Sequence, residues 1–106
     1  MSTDANEVIV INNEAAQRFE IQIEKFLAVA QYERDGIKII FTHTIVPRAL
    51  EGHGIASKLI QTALQTAREQ HLSVVPLCPF VVAYLQRHQE YLDIVEPDYQ
   101  ERLRRS

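Results

Sequence analysis

The sequence predicts a single α/β domain in which an antiparallel meander of four strands is followed by a helix, a strand and a second helix. Three observations support this fold class. Apolar and polar residues alternate over residues 18–24, which is the period of a strand with one buried face. Asp35 and Gly36 form a dipeptide that favours a tight hairpin turn. Over residues 55–67 the apolar residues recur at helical spacing instead, so the chain changes there from strands to helices.

Turn formers and a proline bound the four strands of the predicted meander. The first strand is the apolar run 8–11, which Asn12 and Asn13 close. Residues 18–24 and 26–33 form the next two strands as a hairpin, and residues 37–46 form the fourth. Pro47 cannot donate a backbone hydrogen bond, so we expect the fourth strand to end at or just after Val46.

The second half of the chain predicts two helices around one buried strand. His71 closes the first helix, and the Val-rich run 73–77 is typical of a buried strand. Pro79 suits the start of a helix that continues to His88. Residues 91–95 are typical of a short strand or a turn. Residues 1–106 therefore form one domain, and we expect residues 1–7 and 98–106 to be frayed.

Composition and charge exclude several classes of function. The formal net charge of -3 and the scattered basic residues argue against a nucleic-acid binder, which needs a basic face. The single cysteine, Cys78, excludes an internal disulfide, and the polar start of the chain lacks the apolar core of a signal peptide. The four histidines show no metal-ligand spacing. We expect a cytoplasmic monomer or weak dimer with no metal, nucleic-acid partner or membrane partner.

Two glycines mark the segment that joins the fourth strand to the first helix. Gly52 and Gly54 are two of the three glycines in the chain, and glycine lets a ligand approach the main chain closely. A helix N-terminus with such a loop attracts phosphate, although a tight connection without a ligand explains the same residues. A P-loop is excluded because no Gly-Lys-Ser/Thr follows, and a dinucleotide fingerprint is excluded because Ser57 stands at its third position.

The segment 51–56, Glu-Gly-His-Gly-Ile-Ala, resembles the pyrophosphate loop of the GNAT acetyltransferase superfamily. That motif has Arg or Gln, two residues, Gly, one residue, and then Gly or Ala. Gly54 and Ala56 match it, whereas Glu51 replaces the usual Arg or Gln. The resemblance covers residues 19–95. Over these residues the chain is similar to a small GNAT-like subgroup that lacks the usual N-terminal helices. Its further marks are His43, Thr44, Val46, Pro47, Val75, Pro76, Cys78, Phe80, His88 and Tyr91.

The resemblance implies acetyl-CoA, or another CoA thioester, as the co-substrate. Its pyrophosphate lies on the glycine loop, and its pantetheine arm lies between the splayed strands that end at Val46 and Leu77. His53 then contributes through its backbone N–H, and Lys58 is a candidate contact to phosphate. The implied cofactor-binding residues are Ile45, Val46, Glu51, Gly52, His53, Gly54, Ile55, Ala56, Ser57 and Lys58.

Three side chains are candidates for the chemistry. Cys78 lies where a strand gives way to a helix, whose positive end favours a thiolate, and in the subgroup the equivalent cysteine lies near the acetyl thioester. Tyr84 falls near the tyrosine that protonates the departing CoA thiolate in larger GNAT enzymes. His43, on the face that we assign to Phe41 and Ile45, is suited to deprotonate an amine. Each has a structural alternative: a buried small cysteine, a core tyrosine and a satisfied histidine.

The predicted function is transfer of an acetyl group from acetyl-CoA to an amine. One alternative is a CoA-binding or protein-interaction module without turnover, which the small size and Glu51 favour. Another is transfer of a different acyl group on the same scaffold. The acceptor stays open among polyamines, antibiotics, lysine side chains and protein N-termini.

Overall fold

A computed structural model describes residues 8–104 of the chain, so the predicted fraying of residues 1–7 lies outside the described part. One sheet and three α-helices make up the fold, which confirms the α/β class. The strands are β1 (Ile11–Asn13), β2 (Arg18–Ile23), β3 (Phe26–Asp35), β4 (Lys38–Ile45) and β5 (Ser73–Pro76). The α-helices are α1 (Ile55–Glu69), α2 (Pro79–Arg87) and α3 (Pro97–Leu103), and two 3₁₀ segments span Arg48–Leu50 and Gln89–Ile94.

The sheet is mixed, and its strands lie in sequence order. Strands β1 to β4 pair antiparallel with their neighbours, and β5 pairs parallel with β4 at the edge. The predicted meander differs in detail, because β5 extends it and β1 is displaced from the expected run 8–11. Asn12 and Asn13, which we expected to form a turn, belong to β1.

Side-chain hydrogen bonds explain why the two asparagines stay in the strand. The Tyr32 hydroxyl donates to Asn12 Oδ1 at 2.7 Å, and Asn13 Nδ2 donates to Glu20 at 3.0 Å. Arg18 pairs with the same Glu20 carboxylate, and these two hydrogen bonds hold the pKa of Glu20 below its usual range. Cross-strand partners of this kind cannot be inferred from a turn propensity.

Helix α1 packs its apolar stripe on one face of the sheet. The helix ends as the sequence predicts, because His71 adopts the left-handed region with φ 57°. The His71 N–H donates to the Arg68 carbonyl at 3.2 Å and the Leu72 N–H to the Ala67 carbonyl at 2.8 Å, which is the Schellman arrangement. The buried residues of the helix are Ile55, Leu59, Ile60, Ala63, Leu64 and Ala67, and those of the facing strands include Phe19, Ile21, Ala28, Ala30, Ile39 and Phe41.

The C-terminal part of the chain is more ordered than we predicted. Residues 91–95, expected to be a strand or a turn, lie in the 3₁₀ segment Gln89–Ile94 and in a parallel bridge from Val95 to Val74. The prediction that residues 98–106 are frayed is wrong for 98–103, because they belong to α3 and Leu103 is only 2% exposed. Residues 105 and 106 lie outside the described range.

Arg68 holds the second 3₁₀ segment against the end of α1. It donates to both carboxylate oxygens of Asp93, at 2.7 and 2.9 Å, and to the Glu90 carbonyl at 2.9 Å. Its guanidinium also lies 5.5 Å from the centre of the Tyr91 ring. The hydrogen bonds from Arg68 hold the pKa of the Asp93 carboxyl below its usual range. Along residues 8–104, no helix is long and apolar enough to span a bilayer.

Candidate active site

Strands β4 and β5 part after Phe41. Their parallel register runs from Lys38 with Ser73 to Phe41 with Pro76, and β4 then continues alone to Ile45. The Phe41 carbonyl accepts the N–H of Leu77 at 3.1 Å and that of Cys78 at 3.0 Å, so two donors converge where the pairing ends. Beyond Phe41, a region without strand pairing lies between the last residues of β4 and the residues that follow β5. We call it the β4–β5 opening.

A bulge in β4 changes which side chains face this opening. Gln31 of β3 pairs with His43 whereas its neighbour Tyr32 pairs with Phe41, so Thr42 is an extra residue in the strand. Because a strand alternates its side chains between faces, the extra residue reverses the phase. Phe41 is buried, but His43 and Ile45 are exposed. The prediction that His43 shares a face with Phe41 is therefore wrong, and Thr44 takes the inward position.

Cys78 lies at the base of the opening. Its Sγ is 3.2 Å from Thr44 Oγ1, a contact in which either atom can donate the hydrogen. The residue is the N-cap of α2, just before Pro79 at the first position of the helix. The side chain is only 1% exposed, so the thiol is covered by protein. The structure thus brings Cys78 together with Thr44 and leaves His43 on the other face of the strand.

Tyr84 belongs to a group of rings at the far end of α2. Its ring stacks on His88, with centroids 4.0 Å apart, and lies 6.3 Å from the Tyr91 ring. Burial raises the pKa of the Tyr84 hydroxyl, and the nearby Tyr91 and Glu90 raise it further, whereas Arg87 lowers it. The phenol is therefore protonated at neutral pH. Within residues 8–104, no hydrogen bond or ring contact joins Tyr84 to Cys78.

The glycine loop leads from the first 3₁₀ segment into α1. Gly52 and Gly54 adopt φ values of 83° and 73°, in the left-handed region that side chains other than glycine rarely enter. Gly54 is the N-cap of α1, and no side chain caps the helix. The Lys58 N–H donates to the Gly54 carbonyl at 3.0 Å and closes the first turn. The three N–H groups before it, at residues 55–57, have no acceptor within the helix.

The loop offers backbone rather than side-chain chemistry to a ligand. Glu51, His53 and Ser57 are exposed, whereas Lys58 is half-buried. Ile55 packs its side chain in the core, so only its N–H faces a ligand. The first turn of α1 contains no acidic residue, and its end carries the positive pole of the helix dipole. This arrangement suits an anion with several oxygens, such as a pyrophosphate.

Comparison with known proteins identifies the family. A model of the GCN5-related N-acetyl-transferase family matches residues 18–94, well over half of the chain. This chain belongs to the GCN5-related N-acetyltransferase family. It is also similar to the solution NMR structure of a GCN5-like protein from Staphylococcus aureus, described as a candidate N-acetyltransferase. The TM-score is 0.65 and the sequence identity 26%, over 83% of this chain and 87% of the other. The GNAT resemblance is confirmed, and the family supports acyl transfer as the class of reaction.

Three exposed apolar side chains lie in the segments that bound the β4–β5 opening in this GCN5-related protein. Ile45 is 53% exposed at the end of β4, and Leu77 and Phe80, on either side of the Cys78–Pro79 pair, are 54% and 51% exposed. Exposed apolar groups in the segments next to this site suit an uncharged ligand segment. Of these, the sequence-based site included only Ile45. It also missed the contact of Thr44 with Cys78, because the bulge that turns Thr44 inward leaves no mark in the sequence pattern.

Proposed function

We propose that this protein transfers an acetyl group from acetyl-CoA to an amine. The observation that carries the proposal is the glycine loop, where two left-handed glycines precede a helix without a capping side chain. The N–H groups of the first turn offer a site for the pyrophosphate of CoA. Members of this family generally use acetyl-CoA, so CoA is a better candidate than another phosphate ligand.

The β4–β5 opening is the proposed path of the pantetheine arm. Beyond Phe41, the backbone groups of β4 that face away from β3 have no partner in β5, so they can bond the two amides of pantetheine. Ile45 and the half-buried Val46 lie along this path between the loop and the base of the opening. An acetyl group carried down the opening reaches the Thr44–Cys78 contact.

Each candidate side chain has a proposed role that matches its environment. Cys78 accepts the acetyl group as a nucleophile, with the Thr44 hydroxyl beside its sulfur. When the amine attacks acetyl-CoA directly, Tyr84 supplies a proton to the CoA thiolate, and its raised pKa keeps that proton in place until the thiolate forms. His43 is exposed, so it is suited to accept the proton of an amine that arrives from solvent.

A CoA-binding module without turnover is the second candidate. Two observations favour it: Glu51 places a carboxylate where the family motif has Arg or Gln, and the Cys78 thiol is covered. A carboxylate near the phosphates opposes their binding, although the backbone donors of the loop are unchanged. In this alternative Cys78 is a packing residue, and Tyr84 only stabilises the ring group at the end of α2.

A panel of amines tests the two candidates. The panel contains polyamines, amino acids, lysine peptides and aminoglycosides. With at least one of these classes we expect the protein to release CoA from acetyl-CoA, and we expect mass spectrometry to show the acetylated amine. The matched control is Gly54→Val, which should lose the activity. If acetyl-CoA binds the wild-type protein and no amine in the panel is acetylated, the module without turnover is the better account.

A further inference from the structure

A cleft beside α2 and α3 is separate from the glycine loop and is not part of the proposed path of CoA. Its volume is about 300 Å³, and it lies between the end of β5, helix α2 and helix α3. This volume fits a small molecule and excludes a folded partner. The lining residues are Pro76, Leu77, Val82, Tyr99, Arg102 and Leu103.

One cation faces these otherwise apolar walls. The Arg102 guanidinium lies 5.9 Å from the centre of the Tyr99 ring. Asp98 stands four residues earlier on the same helix, at the spacing of a helical ion pair, but the two do not form one. In the part of the chain that the structure describes, no other carboxylate pairs with Arg102 either. The guanidinium lies near the ring, and its N–H groups can donate hydrogen bonds to an anionic group.

Leu77 belongs both to the cleft and to the segment where β4 and β5 separate. That residue lines the cleft, and its N–H donates to Phe41 at the point where β4 and β5 separate. Cys78 follows it directly, and its N–H bonds the same carbonyl. Leu77 is 54% exposed, so its side chain is available to a ligand. A molecule in the cleft therefore contacts the residue that directly precedes Cys78.

We propose that the cleft binds the acceptor, and that the acceptor is an apolar free amino acid. Its carboxylate pairs with Arg102, and its side chain packs on Leu77, Val82 and Leu103. Its amino group then lies toward Cys78. The amine nitrogen forms a bond to the acetyl carbon carried by Cys78, and the bond between that carbon and the Cys78 sulfur breaks. The amine proton then passes to the released Cys78 thiolate. This assignment rests on the proposed acetyl transfer and names its substrate class.

A pair of probes isolates the contribution of the carboxylate. L-phenylalanine and 2-phenylethylamine share the ring and the amine, and only the first carries a carboxylate. In a ¹⁵N–¹H NMR titration without CoA, we expect L-phenylalanine to shift the amides of Leu77, Val82 and Leu103 and to bind at least about 10-fold more tightly than 2-phenylethylamine. Arg102→Gln should remove that preference, and Arg104→Gln, at the exposed neighbouring arginine, should keep it.

The turnover experiment uses the same variants. With acetyl-CoA present, Arg102→Gln should lower kcat/KM for L-phenylalanine at least about 10-fold and leave the value for 2-phenylethylamine unchanged. Equal binding of the two probes, shifts confined to residues outside the cleft, or an unchanged preference in Arg102→Gln would overturn the proposal. The NMR titration needs no CoA, so it is independent of a failure of acetyl-CoA to bind, which would contradict the proposed function instead.

Discussion

Gly54→Val is expected to abolish CoA binding while the protein still folds. Gly54 has a φ of 73° and caps α1, directly before the N–H groups of the first helical turn. A β-branched residue resists the left-handed conformation and pushes the phosphates away from the helix end. We expect the Kd for CoA, measured by calorimetry, to rise at least about 100-fold, which is about 2.8 kcal/mol.

Gly36→Val is the matched control for this substitution. Gly36 has a φ of 59° in the turn between β3 and β4, and a Cβ there meets nothing within 4 Å. The two variants therefore share a backbone strain of about 1–2 kcal/mol, and only one lies in the glycine loop. Gly36→Val should lose stability and keep its affinity for CoA. Normal CoA binding by Gly54→Val would place the anion site elsewhere on the molecule.

An acetyl adduct on Cys78 is the second large effect that we expect. When the protein is mixed with acetyl-CoA without an acceptor and quenched in acid, intact mass should show one added acetyl group. The adduct should map to Cys78, be removed by hydroxylamine and be missing from Cys78→Ser. The chain has a single cysteine, so a thioester on the protein can form at that residue alone.

The chemistry of this step is balanced without another reactant. The Cys78 sulfur forms a bond to the acetyl carbon, the thioester bond of CoA breaks, and the thiol proton passes to the CoA thiolate. One thioester replaces another, so the exchange is nearly even in energy. Cys78 is only 1% exposed. The acetyl group must therefore enter the opening and displace the protein atoms that pack over the thiol. Once the sulfur has lost its proton, the Thr44 hydroxyl at 3.2 Å can donate a hydrogen bond to it.

The competing route is direct attack by the amine on acetyl-CoA. In that route Tyr84 or water protonates the CoA thiolate, and Cys78 only lines the pocket. Full acetyl transfer by Cys78→Ser to an amine that the wild type accepts would establish the direct route. Thr44→Val separates the roles further, because it removes the hydroxyl and keeps the side-chain shape. We expect it to slow formation of the adduct and to leave CoA binding unchanged.

The sequence pattern predicted the elements that depend on local periodicity and on special backbone conformations. Residues 55–67 carry a helical stripe and lie in α1, and Gly52 and Gly54 do adopt the left-handed region that a loop of this kind needs. The sequence analysis also predicted that His71 closes the first helix, and His71 adopts the left-handed region directly after the cap of α1. These features are encoded within a few neighbouring residues, so one sequence is sufficient to infer them.

Features that depend on partners distant in sequence were not predictable. The bulge at Thr42 arises from the register between β3 and β4, and it turns His43 away from the face of Phe41, where we had expected it. Helix α3 is held by the burial of Leu103 and by the hydrogen bond from Gln89 Nε2 to the Leu103 carbonyl, at 2.7 Å. A charged C-terminal segment resembles a frayed end when these contacts are unknown.

The thermal midpoint with and without acetyl-CoA tests the central claim most directly. A ligand that binds only the native state, at about 100 times its Kd, adds about 2.7 kcal/mol of stability. For a domain of this size we expect the midpoint to rise by roughly 10 °C or more, and ATP or NAD to have a much smaller effect. No shift with millimolar acetyl-CoA, or an equal shift with ATP, would contradict the assignment of the glycine loop as a CoA site.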